Sequence, residues 1–171
     1  RAQNHGIANA VVNHRDYDTR EAYDAQLARV IDEHAPDLVV LAGFMRILTE
    51  DFVERFAGKM LNIHPSLLPK YQGLNTHQRA IDAGDTVHGV SVHFVTAQLD
   101  GGPVVLQAKV PVFDNDMSDD LAARVHEQEH RIYPLVVNWF IEGRLSMQSD
   151  NDKHQAFLDN SALGDEGYSP N

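Results

Sequence analysis

The chain has 171 residues, of which 43% are hydrophobic, and a formal net charge of −11 at pH 7. This length and composition fit one domain with a buried core, and no run of about 18 apolar residues predicts a membrane span. The acidic balance argues against a nucleic-acid partner, because phosphate binding needs a basic surface. The sequence contains no cysteine, which excludes disulfides and thiolate nucleophiles and fits a cytoplasmic protein.

The first part of the chain predicts alternating strands and helices. Residues 7–14 predict a short strand, and residues 19–35 predict a helix that Thr19 caps. The apolar run at 38–41, within a strand predicted over 36–44, is typical of a strand buried on both faces of a parallel sheet. A short helix over 49–58 and a short strand over 60–64 follow.

The second part predicts an antiparallel region and a long helix. Residues 88–95 alternate strictly between two faces, and the turn at 101–102 lets the following strand pair with them. Pro134 is expected to kink the long helix. The remaining predicted elements are a helix over 76–84, a strand over 101–112 and a helix over 118–143, which Ser118 caps. This order predicts an α/β domain that is Rossmann-like, with a mostly parallel sheet and helices on both faces.

The predicted domain spans residues 1–148, and an acidic C-terminal tail spans residues 149–171. The tail holds five acidic side chains against the single Lys153. We therefore expect it to be mostly a solvated appendage.

Polar side chains follow two of the predicted strands. Asn62 and His64 lie two residues apart, so they project to one side of the strand, and Pro65 follows at once. Asp100 comes after the strand over 88–95. Ligands of such sheets bind at the carboxyl ends of the strands, so an amide, an imidazole and a carboxylate are expected to meet there. Taken singly, Asn and Asp are more often turn residues, and His is more often structural.

A metal site is the alternative use of the histidines. His64, His77 and His93 are conceivable zinc ligands, but their spacings match no metal motif. We therefore expect no metal.

Three segments resemble the glycinamide ribonucleotide formyltransferase family. They are NIHPSLLPKYQGLNTHQRAI, HGVSVHFVTAQLDGGPVVLQAKVPV and AGFMRIL, and the likeness runs from residue 1 to about Tyr168. The resemblance implies the formyltransferase fold. It also implies transfer of the formyl group of 10-formyltetrahydrofolate, as co-substrate, to the amine of glycinamide ribonucleotide in de novo purine biosynthesis. The implied partners are these two small molecules, and the implied oligomeric state is a monomer or homodimer.

The resemblance also implies roles for individual residues. The catalytic trio falls on Asn62, His64 and Asp100. The implied folate contacts are Arg46, Ile47, Leu48, His93, Val95 and Thr96. The implied ribonucleotide contacts are Gly43, Met45, Ile63, Pro65 and Glu129. This sequence departs from the common family pattern at Gln72, Asn75 and His126, where proline, histidine and glutamine are usual.

The implied chemistry passes through a tetrahedral intermediate with a negative oxygen. Asn62 and a protonated His64 are expected to stabilise this oxyanion. Asp100 is expected to orient the imidazolium and to help move the proton of the attacking amine. No covalent intermediate with the protein is required.

The chain opens at RAQNHGI, which in the family follows a strand, a glycine-containing phosphate loop, a helix and a second strand. No glycine-rich phosphate loop occurs in these 171 residues. Because the first strand would be central, we expect apolar sheet edges to be exposed and nucleotide affinity to be reduced.

Three other functions compete with formyl transfer to the ribonucleotide. A formyltetrahydrofolate hydrolase would use similar residues to release formate. A methionyl-tRNA formyltransferase would need a basic RNA-binding surface, which the charge of −11 disfavours. A non-catalytic fragment that only binds folate is the third alternative.

Overall fold

A computed structural model describes residues 1–170 of the chain. Its main sheet has four strands in the order β1-β2-β3-β4, and a second sheet has three strands in the order β5-β6-β7. None of the helices in this range has the length and apolar character needed to cross a membrane. The elements are α1 (Arg20–Asp32), β1 (Val39–Leu41), α2 (Glu50–Arg55), β2 (Met60–His64), α3 (Thr76–Asp82), β3 (Val87–Phe94), β4 (Val104–Pro111), α4 (Ser118–Ile141), β5 (Leu145–Asp150), β6 (Lys153–Leu158) and β7 (Ser161–Ala162).

The main sheet is mixed. β1 runs parallel to β2, whereas β2 with β3 and β3 with β4 are antiparallel pairs. The chain leaves the carboxyl end of β2 and returns through α3 at the same end, so β3 must run in the opposite direction. The α/β class is confirmed, and among residues 1–170 the parallel part of the main sheet is the β1–β2 pair.

Strand β2 separates two apolar clusters. Met60 and Leu61 are neighbours, so their side chains point to opposite faces of the sheet. Met60 packs with Phe52 and Phe56 from the region of α2. Leu61 packs in the larger cluster, which includes Val125 of α4. Helices therefore cover both faces, as the sequence predicts.

The predicted helix starts are nearly right. The hydroxyl of Thr19 accepts the backbone N–H of Ala22 at 3.1 Å, which is the expected cap of α1. Helix α4 begins at Ser118, but the carboxylate of Asp120 binds the backbone N–H of Met117 at 2.9 Å instead of a Ser118 hydroxyl cap. Pro134 lies inside α4 without ending it.

The strand predicted over residues 7–14 is wrong. Residues 7–13 have no regular secondary structure, and His14–Asp16 form a single 3₁₀ turn. Ile7 is 61% exposed and Val11 is 92% exposed. No other strand in residues 1–170 pairs with this segment, and an unpaired strand is not stable in water.

The interpretation of residues 149–171 as an appendage is wrong for residues 149–170, although most of these residues are exposed. The segment starts inside β5, and β6 and β7 complete an antiparallel sheet. Ala156 and Leu158 of β6 are buried in the larger cluster. Further along, the N–H of Tyr168 donates to the Val105 carbonyl at 2.8 Å. The acidic residues occupy turns and exposed positions, while alternate residues of β6 supply the core.

We predict that Leu158→Ala lowers the free energy of unfolding by about 2–5 kcal/mol, because the side chain is 5% exposed and its loss leaves a cavity. Urea denaturation measures the change. Ile141→Ala is the matched control, since Ile141 is 71% exposed and its truncation should change stability by no more than about 0.5 kcal/mol. Equal stability of Leu158→Ala and the unsubstituted chain would contradict the packing of β6 into the core.

Candidate functional site

The last residues of β2 present polar groups on the face that carries Met60. Asn62 and His64 share that face by the two-residue period of a strand. Asn62 lies opposite His93 of β3, and His64 lies opposite Ser91. This face is therefore apolar at the start of β2 and polar at its end, where the candidate site lies.

Asp100 reaches this polar face from the loop that follows β3. Its backbone has a positive φ of 47°, a conformation that aspartate tolerates better than most residues. Gly102 lets the loop fold back closely, since a Cβ there would lie 1.8 Å from the Phe94 carbonyl oxygen. The Asp100 side chain is only 8% exposed and accepts the backbone N–H of Gly73 at 3.0 Å.

The amide, the imidazole and the carboxylate expected from the sequence do lie together. Oδ2 of Asp100 is 3.6 Å from Nδ1 of His64, and Oδ1 is 3.8 Å from Nε2 of His93. Nδ2 of Asn62 is 3.4 Å from the same Nε2. The two contacts of Asp100 with imidazoles are longer than hydrogen bonds. Among residues 1–170, the backbone N–H of Gly73 is therefore the one hydrogen-bond donor to this carboxylate.

The backbone fixes the tautomer of both histidines. Nε2 of His64 donates to the Tyr71 carbonyl at 2.7 Å, so its Nδ1 faces Asp100. Nδ1 of His93 donates to the Phe94 carbonyl at 2.9 Å, so its Nε2 accepts from the Asn62 amide. Burial lowers the pKa of His93, which keeps this ring neutral beside Asp100. The side-chain NH₂ of Asn62 is thereby oriented.

A buried network holds the loop that follows His64. The Ser91 hydroxyl donates to the Ser66 carbonyl at 2.6 Å and accepts the N–H of Leu68 at 3.0 Å. The side-chain amide of Gln107 donates to the Leu68 carbonyl at 2.9 Å. The Thr76 hydroxyl donates to the Pro65 carbonyl at 2.6 Å. The loop is therefore pinned to β3, β4 and α3, and the proline residues are only part of what fixes it.

One pocket contains Asn62, His93 and Asp100. Its lining includes all six residues expected to contact folate, which are Arg46, Ile47, Leu48, His93, Val95 and Thr96. A larger cavity of about 710 Å³ lies on the other side of the Thr96–Gly102 loop, against β6. Thr96 and Asp100 line both spaces, Asn62 lines only the smaller one, and His64 lines neither. We take the smaller pocket as the candidate site because it is the one that contains Asn62.

The expected ribonucleotide contacts are more scattered. Met45 is 76% exposed, and Gly43 has a φ of 64° in the same loop. The side chain of Ile63 packs against the larger apolar cluster, so on the cleft side only its backbone is available. Glu129 lies on α4, with Oε2 3.0 Å from Nδ1 of His126.

Sequence reasoning missed one contributor to this site. The hydroxyl of Tyr133 lies 2.6 Å from the Leu41 carbonyl at the end of β1 and 3.1 Å from the carbonyl of Leu61, which precedes Asn62 in β2. Burial raises the pKa of Tyr133, so the hydroxyl stays protonated as a donor. No motif in the sequence marks Tyr133. Outside the pocket, Nδ1 of His77 lies 3.1 Å from Nε2 of His88.

Comparison with known proteins gives one consistent result. Residues 1–137 match the formyl transferase family. The chain is 58% identical over 168 residues to the phosphoribosylglycinamide formyltransferase of Escherichia coli, covering 98% of this chain and 77% of that protein. The solved phosphoribosylglycinamide formyltransferase of Coxiella burnetii superposes with a TM-score of 0.90 at 47% identity, over 98% of this chain and 77% of that one. A trifunctional purine biosynthetic protein from Homo sapiens is 43% identical over 86% of this chain and 15% of its own length.

We predict that the free energy of unfolding falls as the pH is lowered from about 6.5 to about 4. Burial, the largest cause, lowers the pKa of His88 from 6.5 to about 4, and burial also lowers the pKa of His77 and of His93. Between these pH values the unfolded chain binds more protons than the native one, so acid favours unfolding. For His88 alone the loss is at most about 3 kcal/mol.

Urea denaturation at several pH values measures this slope. In His88→Asn the slope should be flatter, whatever the stability of the variant at neutral pH, because the titrating group is gone. The same slope in the variant and the unsubstituted chain would contradict the assignment to His88.

Proposed function

We propose that this chain, which belongs to the formyl transferase family, transfers the formyl group of 10-formyltetrahydrofolate to the primary amine of glycinamide ribonucleotide. The observation that carries this proposal is the meeting of Asn62, His64 and Asp100 beside a pocket lined by the six expected folate contacts.

Attack of the amine on the formyl carbon places negative charge on the formyl oxygen. The NH₂ of Asn62, which His93 orients, is the proposed donor to that oxygen. One such donor typically lowers the barrier by roughly 2.7–4 kcal/mol. Because the donor is fixed before the substrate arrives, little reorganisation is needed during the reaction.

The amine must lose a proton as the new C–N bond forms. Nδ1 is the nitrogen of His64 that can take it, since Nε2 is engaged by the Tyr71 carbonyl. A proton on Nδ1 would lie between His64 and the Asp100 carboxylate 3.6 Å away. The resulting imidazolium is stabilised by that charge, and its own positive charge adds to the Asn62 donor in stabilising the oxyanion. It can then return the proton toward the departing folate nitrogen.

Arg46 has an unmatched donor in the folate pocket. Its Nε is buried without a hydrogen-bond partner among residues 1–170, and its guanidinium stacks 4.7 Å above the ring of Tyr23. A buried donor without a partner is costly, and an acceptor on the bound folate would satisfy it. This supports the assignment of Arg46 to the folate side.

The ribonucleotide is proposed to lie on the side of Glu129 and Met45. Met45 is exposed, and the Glu129 side chain is 23% exposed. In this arrangement the carboxylate of Glu129 accepts from the ribose hydroxyls, while the amine reaches His64.

A transfer assay with 10-formyltetrahydrofolate and glycinamide ribonucleotide tests the reaction. Formylated ribonucleotide is the expected product. Free formate as the sole product would favour a hydrolase, and folate binding without either product would favour a binding fragment.

We predict that Asn62→Ala and His64→Ala each lower kcat by about 10² or more, because each removes a group that acts mainly in the transition state. The measurements are kcat at saturating ribonucleotide and the Kd for folate. Folate affinity should stay similar, which separates a catalytic defect from a lost pocket. Near-normal kcat in either variant would contradict the role of that residue.

We predict that Asp100→Asn lowers kcat by about 10² or more with little loss of stability. Asparagine tolerates the positive φ and keeps an oxygen for the N–H of Gly73, so mainly the charge is removed. Activity and urea denaturation are measured together. Extensive unfolding of the variant would indicate instead that Asp100 serves the turn.

A further inference from the structure

Two histidines on the exposed side of α4 lie beside Glu129. His126 and His130 are four residues apart, so their side chains are neighbours on the helix surface. Their Nε2 atoms are 3.0 Å apart, and the rings meet edge to face with centroids 4.5 Å apart. The other nitrogen of His126, Nδ1, lies 3.0 Å from Oε2 of Glu129.

This arrangement matches the surroundings of a metal-binding histidine. A carboxylate beside Nδ1 favours a proton on that nitrogen, which leaves the lone pair of Nε2 facing His130. Nε2–H of His130 then donates to this lone pair at 3.0 Å. An ion that binds both Nε2 atoms takes the place of that proton, which moves to Nδ1 of His130. Metal-binding histidines are commonly oriented by a carboxylate in this way. An ion with metal–nitrogen bonds of 2.0–2.1 Å holds two nitrogens about 2.9–3.4 Å apart. The observed separation of 3.0 Å falls in that range.

A second histidine pair shows why exposure matters. His77 and His88 also have ring nitrogens 3.1 Å apart. His88, however, is 2% exposed. That pair leaves no room for the remaining ligands of an ion. By contrast, His126 and His130 are both exposed, so water can reach an ion held between them.

We propose that His126 and His130 chelate one divalent first-row transition ion, with Glu129 holding the His126 ring. Imidazole suits Zn²⁺, Cu²⁺ and Ni²⁺, and the sequence has no cysteine to compete for them. Within residues 1–170 no group of three or more histidine, aspartate or glutamate side chains is arranged to hold a metal. The site is therefore a two-imidazole chelate, and water supplies the other ligands of the ion.

The second part of the proposal is that the bound ion weakens ribonucleotide binding, and this part rests on the proposed function. The positive charge on the chelate holds the Glu129 carboxylate against His126. That carboxylate is then less free to accept hydrogen bonds from the ribose. We therefore expect the KM for glycinamide ribonucleotide to rise with the concentration of the ion.

Calorimetric titration of the chelator-treated protein with ZnCl₂ tests the site directly. His130→Gln and His126→Gln should each weaken Zn²⁺ binding by at least about tenfold, and Glu129→Gln should weaken it by about 10–100-fold. His34→Gln is the matched control, because His34 is exposed and lies outside the chelate, so its variant should bind like the unsubstituted chain. Thermal melting checks that all variants are folded. Unchanged Zn²⁺ affinity in both His130→Gln and His126→Gln would overturn the proposal.

The transfer assay with added ZnCl₂ tests whether the bound ion weakens ribonucleotide binding. The KM for the ribonucleotide should rise in the unsubstituted chain and in His34→Gln, but not in His130→Gln. A constant KM despite Zn²⁺ binding would overturn the coupling. Zn²⁺ binding that depends on both histidines, without formyl transfer, would leave the chelate standing and contradict the proposed function.

Discussion

The carboxylate of Asp100 is the group around which the site is organised. It binds the N–H of Gly73 in the loop after β2, and it faces His64 of β2 and His93 of β3. A carboxylate that is 8% exposed has lost most of its hydration, and one hydrogen bond replaces that only in part. The site therefore gains most from a proton placed on Nδ1 of His64, which is where the proposed reaction delivers one.

Much of this site follows from the strand period and the order of the elements. The separation of two residues between Asn62 and His64 puts both side chains on one face, and Asp100 follows the neighbouring strand. The Tyr71 carbonyl and the Gly73 N–H could not be predicted in the same way, because every residue carries these backbone groups. Which of them reaches a side chain depends on the path of the loop, and a buried network with Ser91 sets that path.

The two mistaken segments fail for opposite reasons. Residues 7–14 have strand-like side chains, but local pattern does not reveal whether a partner strand lies alongside, and in residues 1–170 none does. Residues 149–171 are acidic overall, yet Ala156 and Leu158 alternate toward the core within β6. The amino-acid composition of a segment averages over both faces of a strand, so the acidic composition did not indicate that one face of β6 is buried. Strand pairing and side-chain packing depend on residues far apart in the chain, so a short stretch of sequence does not predict them.

Burial gives different proposed roles to His64 and His93, the two histidines that face Asp100. If His93 were protonated, its charge would pair with Asp100 and compete with His64 for the carboxylate. Burial lowers the pKa of His93, and its Nδ1–H is already committed to the Phe94 carbonyl, so this ring acts as an acceptor for Asn62. In the proposed reaction, the proton of the amine is thus left to His64. Strand β3 orients the proposed oxyanion donor, Asn62, through His93, whereas the Tyr71 carbonyl orients His64.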